Sequence, residues 1–253
     1  MVRIRESYEA TVPDTLDLAE RAKLAVSALV GCYRRKEPIE PNMRVEFYRN
    51  PAVVLADQRC NEMWGKFLET ILQMRTASGS MEQAELDDKS FGDIMSYMEG
   101  DGIHWTTRVA DGDDLKYHNL SNGGRLFVAL ADKYNLEGDP ADAENMRKMV
   151  KGFRDYAIFR EDYAYYPDPR VGGGLSLIPG GCTDTAEPAG GRMYEVGWPG
   201  SACFALFAIG SLVHGLCMCH LAIGDADSLD LAERLTRFLA KERFWAPEVM
   251  DHD

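Results

Sequence analysis

Seven stretches of the sequence place apolar residues at the three- and four-residue spacing that puts them on one face of an α-helix. Gly, Pro and Asp stand between these stretches, where such residues end one helix and begin the next. This succession of helical stretches predicts an all-α fold in a single helical domain over residues 1–253. The predicted helices lie near residues 15–31, 58–76, 82–98, 121–135, 140–158, 200–223 and 228–243.

The apolar residues are distributed differently among these helices. Residues 200–223 are apolar on nearly every face, whereas 15–31 and 228–243 carry one apolar stripe. We therefore predict an inner layer that contains 200–223 and an outer layer that contains the other two. The outer segments also share six of seven residues at 15–21 and 228–234. Either a structural repeat or a common preference for helix starts explains that match.

Three segments lack a helical period. Residues 38–56 could form short extended pieces, and residues 101–118, which are rich in Asp and Gly, are predicted to be irregular. Residues 167–199 contain eight glycines and five prolines. A loop of that length in a compact domain is usually functional or disordered, and its aromatic residues argue against disorder. We look for function in the two long segments, the alternative being a surface loop with no chemistry.

Charge and cysteine content exclude several classes of protein. The net charge of -13 argues against nucleic acid or an anionic membrane as a partner. The sequence has no apolar span of ~20 residues and no secretory signal at its start. Its six cysteines lack the density of a disulfide scaffold, so we predict reduced thiols in a cytoplasmic protein. Cys217 and Cys219 point about 200° apart on a helix, and we predict no metal and no cofactor.

Residues 16–31 (LDLAERAKLAVSALVG), 101–105 (DGIHW) and 197–239 carry a family resemblance. Their alternation of amphipathic and apolar helices resembles the (α/α)6 toroid of many glycoside hydrolases and polysaccharide lyases. A complete toroid of this kind has more helices than the seven predicted here. The resemblance therefore implies helical hairpins of an incomplete toroid with long Gly-rich loops, the N-terminal part of a longer barrel. Its uncovered apolar surface would be hidden by self-association or by a further C-terminal region.

The resemblance implies a carbohydrate-active enzyme, and cleavage of a glycosidic bond requires two carboxyl groups. The candidate catalytic acids are Glu195, Asp184 and Glu187. Aromatic rings would stack on sugar rings, and polar groups would contact hydroxyls. The candidate substrate-binding residues are Trp105, His104, Tyr194, Trp198 and Arg192.

Each candidate residue also has a structural explanation. An acid can be a solvated surface charge, and an aromatic ring can pack a loop onto the core. Glycoside hydrolase is the first hypothesis for the function. A polysaccharide lyase, with His104, Tyr194 and Arg192 as base and cation, is an alternative. A non-catalytic helical binding or scaffold protein is another.

Overall fold

The computed structural model describes residues 17–42, 44–48, 50, 54–56, 61–110, 113–118, 120–166, 171 and 201–241. Within these ranges the protein is mostly helical, as the apolar spacing predicts. All seven predicted helices are present there, with ends that differ from the predicted ones by a few residues. They are α1 (Leu18–Cys32), α2 (Asn61–Ser78), α3 (Glu85–Ser96), α4 (Leu120–Glu137), α5 (Pro140–Tyr156), α6 (Ser201–Ile223) and α7 (Ala226–Leu239).

Three two-stranded antiparallel hairpins accompany the helices in the described residues. The third is formed by two-residue strands. The prediction that residues 101–118 are irregular is wrong, because Ala110 pairs with Asp113 in a regular ladder. Asp-Gly at 111–112 is a favoured sequence for a hairpin turn. The high Asp and Gly content of the whole segment suggested an irregular loop instead. The strands are β1 (Arg44–Glu46) with β2 (Val54–Ala56), β3 (Thr106–Ala110) with β4 (Asp113–Tyr117), and β5 (Ile158–Phe159) with β6 (Ala164–Tyr165).

Aspartate side chains cap three of the helices. Asp17 accepts hydrogen bonds from the first free N–H groups of α1, and Asp139 does the same for α5, where Pro140 takes the predicted first position. In α7 the cap is Asp225. The counterpart of Asp17 in the repeated heptapeptide is Asp230, which lies inside α7. The match at 15–21 and 228–234 therefore does not mark equivalent helix starts.

Helix α4 lies between α2 and α6 and has the most extensive packing of the described helices. Glycines permit these close contacts, because a Cβ at Gly124 would collide with the carbonyl oxygen of Ser211, and one at Gly215 with that of Gly124. On the other side, a Cβ at Gly65 would lie 3.1 Å from the Cβ of Arg125. The three helices thus form a row with α4 in the middle.

The remaining helices attach to this row. Helix α1 packs on α2, α5 on α4, and α7 on α6. Helices α2 and α4 run in the same direction, since Gly65 near the start of α2 is next to Arg125 near the start of α4, and the Gln73 amide donates to Asp132 eight residues further along α2. Helices alternate along the chain between members of the row and helices packed beside it.

The exposure of side chains varies around helix α6. Ile209, Leu212 and Leu216 are fully buried, but Phe207 is 45% exposed and Leu221 is 76% exposed. Among the described residues α6 packs mainly on α4 and α7. Its exposed positions are Phe207, His214 and Leu221, which are spaced seven residues apart and lie on one stripe. No helix in the described ranges has the combined length and apolarity that a membrane crossing requires.

Candidate functional site

The long connections between helices all lead into the row formed by α2, α4 and α6. Residues 33–60, 97–119 and 157–200 precede these three helices, and each connection carries one of the three hairpins. The connections that leave α2, α4 and α6 span only 79–84, 138–139 and 224–225. We call the end of the row where α2 and α4 begin the N-terminal rim. Long connections on a rigid scaffold are the usual carriers of binding and catalytic groups.

His104 lies at this rim, immediately before β3, and is buried with 3% of its surface exposed. Its Nε2–H donates to the carbonyl oxygen of Ile94 at 2.9 Å. Burial lowers the pKa of His104 to about 4, so the ring is neutral at pH 7. The side chain joins the hairpin connection to the end of α3. Its predicted role as a contact for substrate stays a prediction.

Trp105 is held by Asp101. The indole N–H donates to Asp101 Oδ2 at 3.0 Å, and the Tyr156 hydroxyl donates to the same oxygen at 3.0 Å. The Trp105 and Tyr156 rings meet edge to face at 5.7 Å between centroids. Because Trp105 is 8% exposed, a stacking contact with a sugar would have to use that remaining surface. Its predicted role as a platform also stays a prediction.

A second histidine at the rim was not singled out by the sequence analysis. His118 follows β4, and its Nδ1–H donates to the carbonyl oxygen of His104 at 2.7 Å. Its Nε2 is therefore left as an acceptor, and it is buried without a hydrogen-bond partner among the described residues. Burial lowers the pKa of His118 to about 4. A sequence signal was available, because His118 lies at the end of one of the two segments in which function was expected, shortly before the predicted helix at 121–135.

Two further polar groups near the rim are buried without a partner in the described part of the chain. They are the Asn122 side-chain oxygen in the first turn of α4 and the hydroxyl of Tyr166, which follows β6. Burial raises the pKa of the Tyr166 hydroxyl. Unpaired buried polar groups are few in native proteins, and each calls for an explanation such as a bound water or ligand. Their concentration here marks the rim as the candidate functional site.

Six predicted site residues lie outside the described residues. These are Glu195, Asp184, Glu187, Arg192, Tyr194 and Trp198, all within the connection that leads into α6. Their predicted roles stay predictions. Between Tyr166 and the start of α6 at Ser201, the structure describes only Val171.

The described ranges hold no group of three or more His, Cys, Asp or Glu side chains arranged for a metal ion. Cys219 is buried, and Cys217 is half-buried; both are free thiols. Burial raises the pKa of Cys219 to about 12, so this thiol is protonated at pH 7. A groove of about 330 Å³ lies between the C-terminal halves of α2 and α4, with Leu72, Thr76 and Leu136 in its lining. It is at the opposite end of the row from the rim.

Comparison with models of protein families, with curated proteins and with solved structures finds no match for this chain.

Proposed function

We propose that the protein is a carbohydrate-active enzyme of the glycoside hydrolase type, built on helical hairpins of an (α/α) toroid. The observation that carries this proposal is the alternation of the helices. Every second helix, α2, α4 and α6, belongs to one row, and α1, α5 and α7 each pack beside a member of that row. An inner layer of alternate helices with outer helices between them is the arrangement that defines such a toroid.

The position of the long connections supports the same proposal. All three precede a helix of the row, and in this proposal their functional groups form one cleft. The third of them carries Glu195, Asp184 and Glu187. In this proposal one carboxylic acid protonates the leaving oxygen of the glycosidic bond, and a second carboxylate acts as base or nucleophile. Tyr194 and Trp198 stack on the sugar.

The free thiols of Cys32, Cys217 and Cys219 suit a reducing compartment, and a cytoplasmic location is part of the proposal.

The test is to change Glu195 to Gln and Asp184 to Asn separately, which keeps the shape of each side chain and removes its charge. Hydrolysis of a panel of aryl glycosides would be measured with the full chain. We expect each change to lower kcat by more than tenfold, a loss of more than about 1.4 kcal/mol of transition-state stabilisation. The matched control is Glu144→Gln, an exposed acid on α5, which should leave kcat unchanged. Activity within tenfold in both site variants would exclude these residues as acid and base.

One observation favours a second candidate function, a non-catalytic binding protein. His104 and Trp105, the predicted contacts in the described residues, both use their polar groups in internal hydrogen bonds. A protein that only binds needs no titratable group with free access to substrate. Saturable binding of a glycan without turnover, unchanged in the Glu195→Gln variant, would support this alternative.

A further inference from the structure

The groove of about 330 Å³ between α2 and α4 is an open concave surface outside the candidate site at the rim. Because α2 and α4 run in the same direction, the groove lies where both helices end. Its volume is within the range of small-molecule sites. We call it the α2–α4 groove. Its lining includes Gln73, Thr76 and Ala77 of α2 and Asp132, Asn135 and Leu136 of α4.

Much of the surface in the α2–α4 groove is apolar. Leu72 also lines it and is 7% exposed, whereas Leu136 is 53% exposed and Ala77 is exposed as well. Contact with an apolar ligand would remove this surface from water, which is favourable. The groove therefore favours a ligand with an apolar body.

The polar side chains of the groove mainly offer hydrogen-bond acceptors. The Gln73 amide N–H donates to Asp132 Oδ2 at 3.1 Å, which leaves the Gln73 side-chain oxygen and Asp132 Oδ1 to accept from a ligand. The Thr76 hydroxyl donates to the carbonyl oxygen of Leu72 at 2.9 Å, so its oxygen can only accept. The amide of Asn135 can donate or accept. A ligand with several N–H donors matches this set.

The charge of the groove has one sign. Asp132 is the only charged side chain among the described residues that line it. Arg75 and Lys133 are the basic residues in the last two turns of α2 and α4, but Arg75 pairs with Asp87 and Lys133 with two other carboxylates. The end of each helix adds partial negative charge, because the backbone dipoles point that way. A cation is therefore the complementary ligand.

We propose that the α2–α4 groove binds a small organic amine, a molecule with a protonated amino group on an aliphatic or aromatic body. The ammonium group, which has three N–H donors and no acceptor, would donate to Asp132 and Gln73. The apolar body would pack on Leu136 and Ala77. This site is independent of the proposed catalytic function, since it lies at the opposite end of the row and uses none of the same residues.

The experiment measures binding of phenethylamine, tyramine and cyclohexylmethylamine to the full chain by saturation-transfer NMR. Shifts of labelled leucine methyl groups then locate the site. Asp132→Asn keeps the shape of the side chain and removes its charge, and Ala77→Phe fills the groove. We expect Asp132→Asn to weaken the affinity by about fivefold or more and Ala77→Phe to remove binding. The matched control is Asp155→Asn, which removes an exposed charge on α5 and should leave the affinity unchanged.

Four results would overturn the proposal. The first is that no amine in the panel binds the unchanged protein at millimolar concentration. The second is that phenethyl alcohol, the neutral counterpart of phenethylamine, binds as tightly as the amine. The third is that Asp132→Asn and Ala77→Phe, with unchanged melting temperatures, bind as the unchanged protein does. The fourth is that the amine shifts other leucine methyl groups but not those of Leu72 and Leu136, which would place its site elsewhere.

Discussion

Replacing Asp87 with Ala should be among the most destabilising single changes in the described part of the chain. Asp87 forms a buried ion pair with Arg75, and the two side chains are 6% and 8% exposed. Its other oxygen accepts a hydrogen bond from the Tyr33 hydroxyl at 2.8 Å. Arg75 also donates to the carbonyl oxygens of Ser80 and Glu82, at 3.0 Å and 2.9 Å. This network joins α1, α2, α3 and the turn between α2 and α3.

The magnitude follows from what the change leaves behind. Without Asp87 the guanidinium of Arg75 stays buried with its charge uncompensated, and breaking a buried pair in this way costs about 3–5 kcal/mol. The Tyr33 hydroxyl, which is also buried, loses its acceptor. Because domains are stable by only about 5–15 kcal/mol, we expect the variant to lose a large part of its free energy of unfolding.

Urea unfolding of the full chain, followed by circular dichroism at pH 7, measures the loss. The matched control is Asp155→Ala, which breaks the Lys151–Asp155 pair, whose side chains are 76% and 55% exposed. An exposed pair contributes about 0–1 kcal/mol, so the control should unfold close to the unchanged protein. A loss below about 1 kcal/mol for Asp87→Ala, or equal losses for both variants, would refute the reasoning about burial.

Two further predictions concern the buried histidines and the close contact between α4 and α6. His104 and His118 have pKa values lowered by burial from 6.5 to about 4, so the unfolded chain binds more protons below pH 6.5. The free energy of unfolding should therefore fall by up to about 2.7 kcal/mol per pH unit from pH 6.5 towards pH 4; a flat profile to pH 5 in urea titrations would contradict this. Gly124→Ala should cost several kcal/mol, because its Cβ would collide with the backbone of α6. The control is Gly92→Ala, which should be neutral or slightly stabilising because there is open space around Gly92. Equal melting temperatures for the two glycine variants would count against close packing of α4 on α6.

Much of the helical fold could be predicted because its determinants are local. The apolar spacing and the Gly, Pro and Asp residues between helices act within one turn of the chain, and Pro140 begins α5 as predicted. The hairpin over Thr106–Tyr117 was missed, although Asp-Gly at 111–112 is a local turn preference. The candidate site was predicted from the composition of the long segments between helices. Composition identifies segments rich in acidic and aromatic residues but gives no distances between their side chains.

The number and order of the helices that the structure describes follow from local sequence, since 3.6-residue periodicity and helix ends are properties of neighbouring residues. Which helix is central depends instead on how the helices pack in three dimensions. Helix α6 is apolar all round, yet Leu221 on it is 76% exposed, while α4 is enclosed by α2, α5 and α6. Burial depends on which surfaces meet, and here that was decided by close contacts at Gly65, Gly124 and Gly215. The pairing of Arg125 with Glu69, 56 residues away, has the same origin.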